Sequence, residues 1–268
     1  MRASELPAPV LVGLFNAGYS DYLLPMRLTT DAFAEHVAAN DIDLECSRVA
    51  LDDEPAAFAL IGRRDEAGWL GGMGTAPRYR RRGLGEQALT AGLAALADRG
   101  ASVAWLEVID ENRRALALYE KLGFEVVRDL VVWSLPARET DSTASRAIDA
   151  SSAHAWIRAN RRDREPWQRA DASVTAIGAR GATLSGLVVD RDGQVVATAL
   201  LRDDAAAVEA LQVVAADEQA AAELLLAAAI AGRELRFRNV PDRAPASRAL
   251  ERLGARRIAT QHEMRLTL

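Results

Sequence analysis

Apolar and polar residues alternate along this chain in two rhythms, one suited to helices and one to strands. Leu6 to Phe15 and "TTDAFAEHVAAN" (Thr29 to Asn40) place apolar residues at helical spacing, the second behind cap-type residues, and both predict helices. "SRVALDDEPAAFALIGR" is two apolar runs around an Asp-Asp-Glu-Pro turn, a hairpin pattern. "GWLGGMGTA" (Gly68 to Ala76) predicts a third strand whose glycines mark a bulge or the close approach of a ligand. A helix is expected from Glu86 to Arg99, ending at Gly100. "VAWLEVI" then predicts a buried strand, Asn112 to Leu122 a helix stopped by Gly123, and "FEVVRDLVVWSL" a pair of closing strands.

The texture changes at "PARETDSTASRAIDASS" (Pro136 to Ser152), which is polar and without apolar periodicity, and predicts a linker. Beyond it the pattern predicts a helix from His154 to Arg164 and strands at Leu184–Val189, Gln194–Leu201 and Val208–Val214. A helix from Asp217 to Ala231, a strand "ELRFRNV", a helix "ASRALERLG" and a last strand "QHEMRLTL" follow. "ALYEKLGF" (Ala117 to Phe124) aligns without a gap with "RALERLGA" (Arg248 to Ala255), a weak internal repeat. An amphipathic helix closed by glycine would give the same echo by chance. The expected class is α/β (α+β), in two domains: residues 1–136, a linker at 137–152, and residues 153–268.

Composition narrows the function. The 268 residues carry a formal charge of −5, half are apolar, and no run is long enough to span a bilayer. The start lacks a basic leader pattern, so the chain is read as mature protein, and cytoplasmic. One cysteine, Cys46, and three scattered histidines suggest neither a disulfide nor a metal cluster. Lys121 is the sole lysine, and the overall acidity argues against nucleic-acid binding.

Against that acidity, "APRYRRRGLGEQALTAGLAAL" (Ala76 to Leu96) gathers Arg78, Arg80, Arg81 and Arg82 where a helix starts. A glycine-rich turn there exposes backbone amides, the helix dipole adds partial positive charge, and Gly83 and Gly85 leave room for a phosphate. Two readings stay open on this stretch alone: a pyrophosphate site, or a solvated arginine face with turn glycines. No Gly-Lys-Ser/Thr follows, and the dinucleotide fingerprint lacks a glycine before Gly83, which disfavours nucleoside triphosphates and NAD.

Arg80-Arg81-Arg82-Gly83-Leu84-Gly85 resembles the R/Q-x-x-G-x-G/A signature of the Gcn5-related N-acetyltransferase (GNAT) superfamily. "LEVIDENRRALALYEKLGF" (Leu106 to Phe124) is similar to that family's second hallmark: a strand, an Asn, then a helix bearing Leu-Tyr and ending in Gly-Phe. Arg81 departs from it, since many members have Gly there. The resemblance covers roughly Leu6 to Pro136. It implies a central mixed, mostly antiparallel sheet flanked by helices. It also implies that Arg80, Arg81, Arg82, Gly83, Leu84, Gly85 and Glu86 hold the pyrophosphate of acetyl-CoA, chiefly through backbone amides. Met73, Gly74 and Thr75 would pair with its pantetheine arm, and the Met73 N–H would polarise the thioester carbonyl. Asn112 would bond the arm or a loop beside it, and Tyr119 would protonate the leaving thiolate.

Glu107, a carboxylate on an apolar strand, is the first candidate for general base, with Asp110 behind it. A Glu107 paired with an arginine at the sheet's end, and a Tyr119 that is only a packed aromatic, are the bland alternatives. Tyr19, Asp21 and Tyr22 lie where the family places its variable acceptor loop and are expected to touch substrate.

In the second half, acidic residues precede the helix at Asp217, Leu250 stands in place of the tyrosine, and Arg243 in place of the asparagine. The expectation is a degenerate second GNAT-like domain without a phosphate loop, structural or substrate-shaping. His154, Trp156 and Trp167, with "RANRRDREPW", either line a substrate cleft or form a solvated face with Trp packed inward. Tandem GNAT architecture also occurs in mycothiol synthases, which keep cofactor traits in both halves, so that acceptor ranks low here. The expected function is acetyl-CoA-dependent N-acetyltransfer to a primary amine of a small molecule or peptide by direct attack. The alternative is a non-catalytic acyl-CoA-binding sensor. Expected partners are that amine acceptor, with no nucleic acid, membrane or metal, in a monomer or homodimer.

Overall fold

Local chemistry sets the early elements. Pro7, which has no N–H to leave unsatisfied, opens α1 (Ala8–Gly18), whose Leu11, Val12, Leu14 and Phe15 are buried. The Thr29 hydroxyl accepts the Ala32 amide at 3.1 Å and starts α2 (Thr30–Ala39). β1 (Arg48–Asp52) and β2 (Glu54–Arg64) form an antiparallel hairpin. β3 (Ala67–Thr75) pairs antiparallel with β2, with a register shift that passes over Gly71. α3 (Leu84–Ala97) buries Leu89 and Leu96 completely. β4 (Val103–Ile109) runs parallel to β3, but the ladder covers only Ala67–Trp69 against Val103–Trp105. Asn112 caps α4 (Arg113–Lys121), accepting the Ala115 amide at 3.2 Å, and β5 (Glu125–Leu135) follows. Where the sequence suggested a pair of closing strands, β5 is one strand, because nothing at Arg128-Asp129 turns the chain.

The computed structural model describes residues 1–22, 26–137, 145–204, 207–229 and 233–268. The chain forms two compact units: Met1–Val127 with Glu263–Leu268, and Arg128–His262. The boundary thus falls inside β5 rather than in the polar stretch after Pro136, and the last six residues return to the first unit.

In the first unit the strand order is β1-β2-β3-β4, followed by the end of β11 (Arg256–Thr267). Its core joins Ile61, Leu70, Leu89, Leu96, Leu106, Phe124 and Met264. Each fully buried leucine stabilises the fold by about 1.5–3 kcal/mol.

The second unit is built from β6 (Ser145–Ile148), α5 (Ala150–Asn160), α6 (Asp171–Ala179), β7 (Leu184–Arg191), β8 (Gln194–Asp203), β9 (Ala207–Ala215), α7 (Glu218–Ala228), β10 (Glu234–Pro241) and α8 (Pro245–Arg252). Its strands lie in the order β5-β10-β9-β8-β7-β6. From α1 and from α5 onward the two units repeat one order: two helices, three strands, helix, strand, helix, strand. α4 and α8 both stop at a glycine in the left-handed region, Gly123 (φ 89°) and Gly254 (φ 72°).

Two sequence expectations change here. Part of the expected linker is structured: Ser145–Ile148 pairs with Gly186–Val189, and Asp149 caps α5, while residues 138–144 lie outside the described residues. β6 is a short edge strand with polar residues, so its stability comes from a partner strand and not from its own pattern. α6 was missed because β-branched residues and a glycine blur its short apolar stripe.

Candidate active site

Beyond Trp69 and Trp105, where the β3–β4 ladder ends, a cavity of about 770 Å³ opens within the first unit. β3 contributes Met73, Gly74 and Thr75, and the loop and first turn of α3 contribute Arg80, Arg81, Gly83, Leu84, Gly85 and Glu86. Glu107, Asn112 and Tyr119 line it from β4 and α4, and Tyr19, Asp21 and Tyr22 from the segment after α1. Of the first-unit residues singled out for the site and its arginine cluster, Arg78, Arg82 and Asp110 are not in the lining. Arg82 turns to Asp52, and Asp110 pairs with Arg113 at 3.2 Å. The sequence reading missed Gly18, Tyr79, Glu111, Arg113, Arg114 and Leu118, which also line it. The Arg113-Arg114 pair behind the Asn112 cap was a visible signal, a second concentration of cations at a helix start.

The entrance to α3 carries the clearest chemistry. Gly83 sits at the N-cap in the left-handed region (φ 75°) and supplies no side-chain cap. Among the described residues no acceptor meets the amides of Leu84, Gly85 and Glu86, so the positive end of the helix opens into the cavity. A β-carbon at Gly85 would stand 2.9 Å from both Met73 Cε and Thr75 Oγ1, so a larger residue would have to push these side chains aside.

The arginines divide their work. Arg78 pairs with Glu54, Arg82 with Asp52, and Arg80 donates to both Asp21 carboxylate oxygens at 2.5 and 2.6 Å. Arg80 also donates to the Thr75 carbonyl at 3.1 Å, tying the loop to β3. The Arg80 hydrogen bonds hold the Asp21 carboxyl below its ordinary range. Among the described residues Arg81 has no carboxylate partner, and it is exposed in the lining, so its charge is available to an anion. Its φ of 63° places it in the left-handed region, the conformation that explains why a glycine suits this position.

Opposite this loop the polar groups are set deeper. The Trp69 indole donates to Oε2 of Glu107 at 2.7 Å. Tyr119 is 7% exposed, its hydroxyl lies 3.9 Å from Met73 Sδ, and burial raises its pKa. The Met73 amide donates to the Tyr19 hydroxyl at 3.3 Å, and burial raises the Tyr19 pKa as well. Burial also raises the Tyr22 pKa, opposed in part by the neighbouring Asn112, so that side chain borders the 19–22 segment as well as capping α4. Among the described residues no group of three or more His, Cys, Asp or Glu is arranged to hold a metal ion.

The second unit fills the equivalent places. Asp217 caps α7, accepting the Ala220 amide at 2.7 Å, and pairs with Arg191 at 2.8 Å, so a carboxylate already occupies that helix start. β9 and β10 pair in parallel only over Ala207–Ala210 and Glu234–Phe237. Just beyond, the buried Arg169 donates Nε to the Leu211 carbonyl at 3.1 Å and Nη1 to the Asn239 carbonyl at 2.9 Å. It stacks on Phe237 and pairs with Glu165 at 3.1 Å. Thus a side chain bridges the two strands where the first unit has a cavity. Trp167 is buried, and His154 bonds Asp171 at 2.9 Å; Asp171 also binds Arg161.

Residues 17–124 match the model of the Acetyltransferase (GNAT) family. A [Ribosomal protein bS18]-alanine N-acetyltransferase of Salmonella typhimurium is 39% identical over 77 residues, 29% of this chain and 52% of that protein. A mycothiol acetyltransferase of Acidimicrobium ferrooxidans is 37% identical over 135 residues, 42% of this chain and 43% of that protein. The chain therefore spans about half the length of these curated relatives. A solved tandem GNAT protein from the clavulanic acid biosynthesis pathway, 11% identical, superposes with a TM-score of 0.65 over 97% of this chain and 94% of that one, a likeness of fold. Residues 17–124, within the first unit, thus match the GNAT acetyltransferase family, and the chain of two compact units shares the fold of a solved tandem GNAT protein.

Proposed function

We propose that the first unit transfers an acetyl group from acetyl-CoA to a primary amine of a peptide or small molecule. One observation carries this: an uncapped helix start with an available arginine shares a single cavity with Glu107 and Tyr119. Acetyl-CoA would supply the acetyl group as a thioester, its C–S bond breaking as a C–N bond to the amine forms. The amides of Leu84, Gly85 and Glu86 and the Arg81 guanidinium bind the pyrophosphate. The Met73 N–H is directed at a carbonyl oxygen, which it polarises. Glu107 accepts the proton of the attacking amine, directly or through water, with Trp69 orienting the carboxylate. Tyr119, kept protonated by its burial, gives its hydroxyl proton to the departing sulfur.

The second unit, with Asp217 on its helix start and Arg169 across its strands, takes no cofactor. An alanine amine, as in the name of the Salmonella relative, is the first acceptor to try. The test follows CoA thiol release from acetyl-CoA with an alanine-terminated peptide and with small primary amines. Amine-dependent release that Gly83→Glu abolishes is expected. Acetyl-CoA binding without amine-dependent release from any acceptor would favour the sensor alternative.

A further inference from the structure

The amide assigned above to the acyl carbonyl already has a partner within the chain. The Tyr19 hydroxyl accepts the Met73 N–H at 3.3 Å. Its ring stacks on Phe15 at 4.5 Å and 27°, meets Tyr22 edge-on at 4.9 Å, and lies 6.3 Å from Phe58. Phe15 and Phe58 are each 2% exposed, so a ring displaced from Met73 yields sideways along the cavity it lines and not back into the core.

The backbone beneath is equally constrained. A β-carbon on Gly18 would stand 3.1 Å from Gly74 Cα, and one on Gly74 would stand 2.8 Å from the Phe58 ring. The end of α1 therefore lies directly on β3, which delivers Tyr19 to Met73. Two residues on, Asp21 is held by both Arg80 bonds, and Tyr22 packs edge-on against the Tyr19 ring.

We propose that Tyr19 limits the length of the acyl chain that the site accepts, and keeps the Met73 amide satisfied until an acyl carbonyl displaces its hydroxyl. This rests on the acetyl-transfer reading and deepens it. One N–H bonds one acceptor well, so a carbonyl oxygen arriving at Met73 takes the place of the phenol oxygen. An acetyl group adds only a methyl beyond that carbonyl. Longer chains must be packed against an aromatic wall that is already close-packed from behind.

The test is calorimetric titration of the full chain and its Tyr19→Phe, Tyr19→Ala and Tyr19→Leu variants with CoA, acetyl-CoA and butyryl-CoA. The wild-type protein is expected to prefer acetyl-CoA over butyryl-CoA by about tenfold or more. Tyr19→Ala removes the wall and should shift that ratio toward butyryl-CoA by about tenfold, the value of two further buried methylenes. Tyr19→Leu should move it the same way to a smaller degree, and serves if the alanine variant does not fold. Tyr19→Phe keeps the wall but removes the competing acceptor, so acetyl-CoA should gain about 3–10-fold relative to CoA. A wild-type acyl preference retained in Tyr19→Ala and Tyr19→Leu overturns the chain-length role. An unchanged acetyl-CoA to CoA ratio in Tyr19→Phe overturns the displacement role. Wild-type protein that binds no CoA species overturns the acetyl-transfer reading itself, and is separable from both.

Discussion

The indole nitrogen of Trp69 donates a hydrogen bond of 2.7 Å to Oε2 of Glu107, joining β3 to β4 where their ladder ends. The bond fixes the orientation of the carboxylate proposed as base. Trp69→Phe keeps an aromatic ring in the core and removes the donor. Its kcat should then fall by about 10-fold while acetyl-CoA affinity changes little. A variant with lower stability but unchanged kcat would contradict a role for Trp69 in positioning the base.

Among the described residues the Tyr119 hydroxyl meets only the Met73 sulfur, so its loss should be felt in the chemistry. Tyr119→Phe is expected to lower kcat by about 10²-fold while changing acetyl-CoA affinity little, as measured by steady-state rates beside calorimetry. An equal loss in kcat and in acetyl-CoA affinity would contradict the acid role.

Arg81 occupies left-handed backbone (φ 63°), a conformation that glycine adopts without strain. Arg81→Gly relieves that conformation and should stabilise the protein by about 0.5–1 kcal/mol, raising Tm by about 1–3 °C. The same change removes an available charge from the loop proposed to hold the pyrophosphate and should weaken acetyl-CoA binding. A lower Tm in the variant would show that the loop is not strained by the arginine.

His36 supports the strand that carries Met73. Nε2 lies 3.1 Å from the Gly71 carbonyl, which can only accept, so Nε2 carries the proton and Nδ1 accepts from Asn40 at 3.2 Å. Burial lowers its pKa below the ordinary value, opposed in part by the Gly71 bond. The unfolded chain therefore binds this proton more readily than the folded one. Its stabilising contribution is complete above about pH 6.5 and is lost as the pH falls through the lowered folded value. Urea unfolding between pH 7 and pH 5 should show a steeper loss for the wild type than for His36→Gln. Identical slopes would contradict the neutral assignment.

What could be read in advance was local. Gly83 and Gly85 stand beside arginines at a helix start, and Asn112 and Tyr119 share one turn-and-helix motif, so their spacing alone brought the cavity's main residues together. Arg82 sits in the same motif, but the left-handed turn at Arg81 sends its side chain to Asp52, which sequence adjacency does not reveal. The Tyr19–Met73 bond joins residues 54 apart in the chain and depends on the contact of Gly18 with Gly74. Nothing in "EPWQRAD" marks Arg169 as buried, because only the parted strands β9 and β10 give it carbonyls to bridge. β6 was illegible for the same reason, being a polar segment made a strand by its neighbour.

The most direct test is calorimetric titration of the purified chain with acetyl-CoA, beside Gly83→Glu. The account predicts one site per chain, lost in the variant because a carboxylate then stands at the helix start as Asp217 does in the second unit. Two sites per chain, or binding that survives Gly83→Glu, would contradict it.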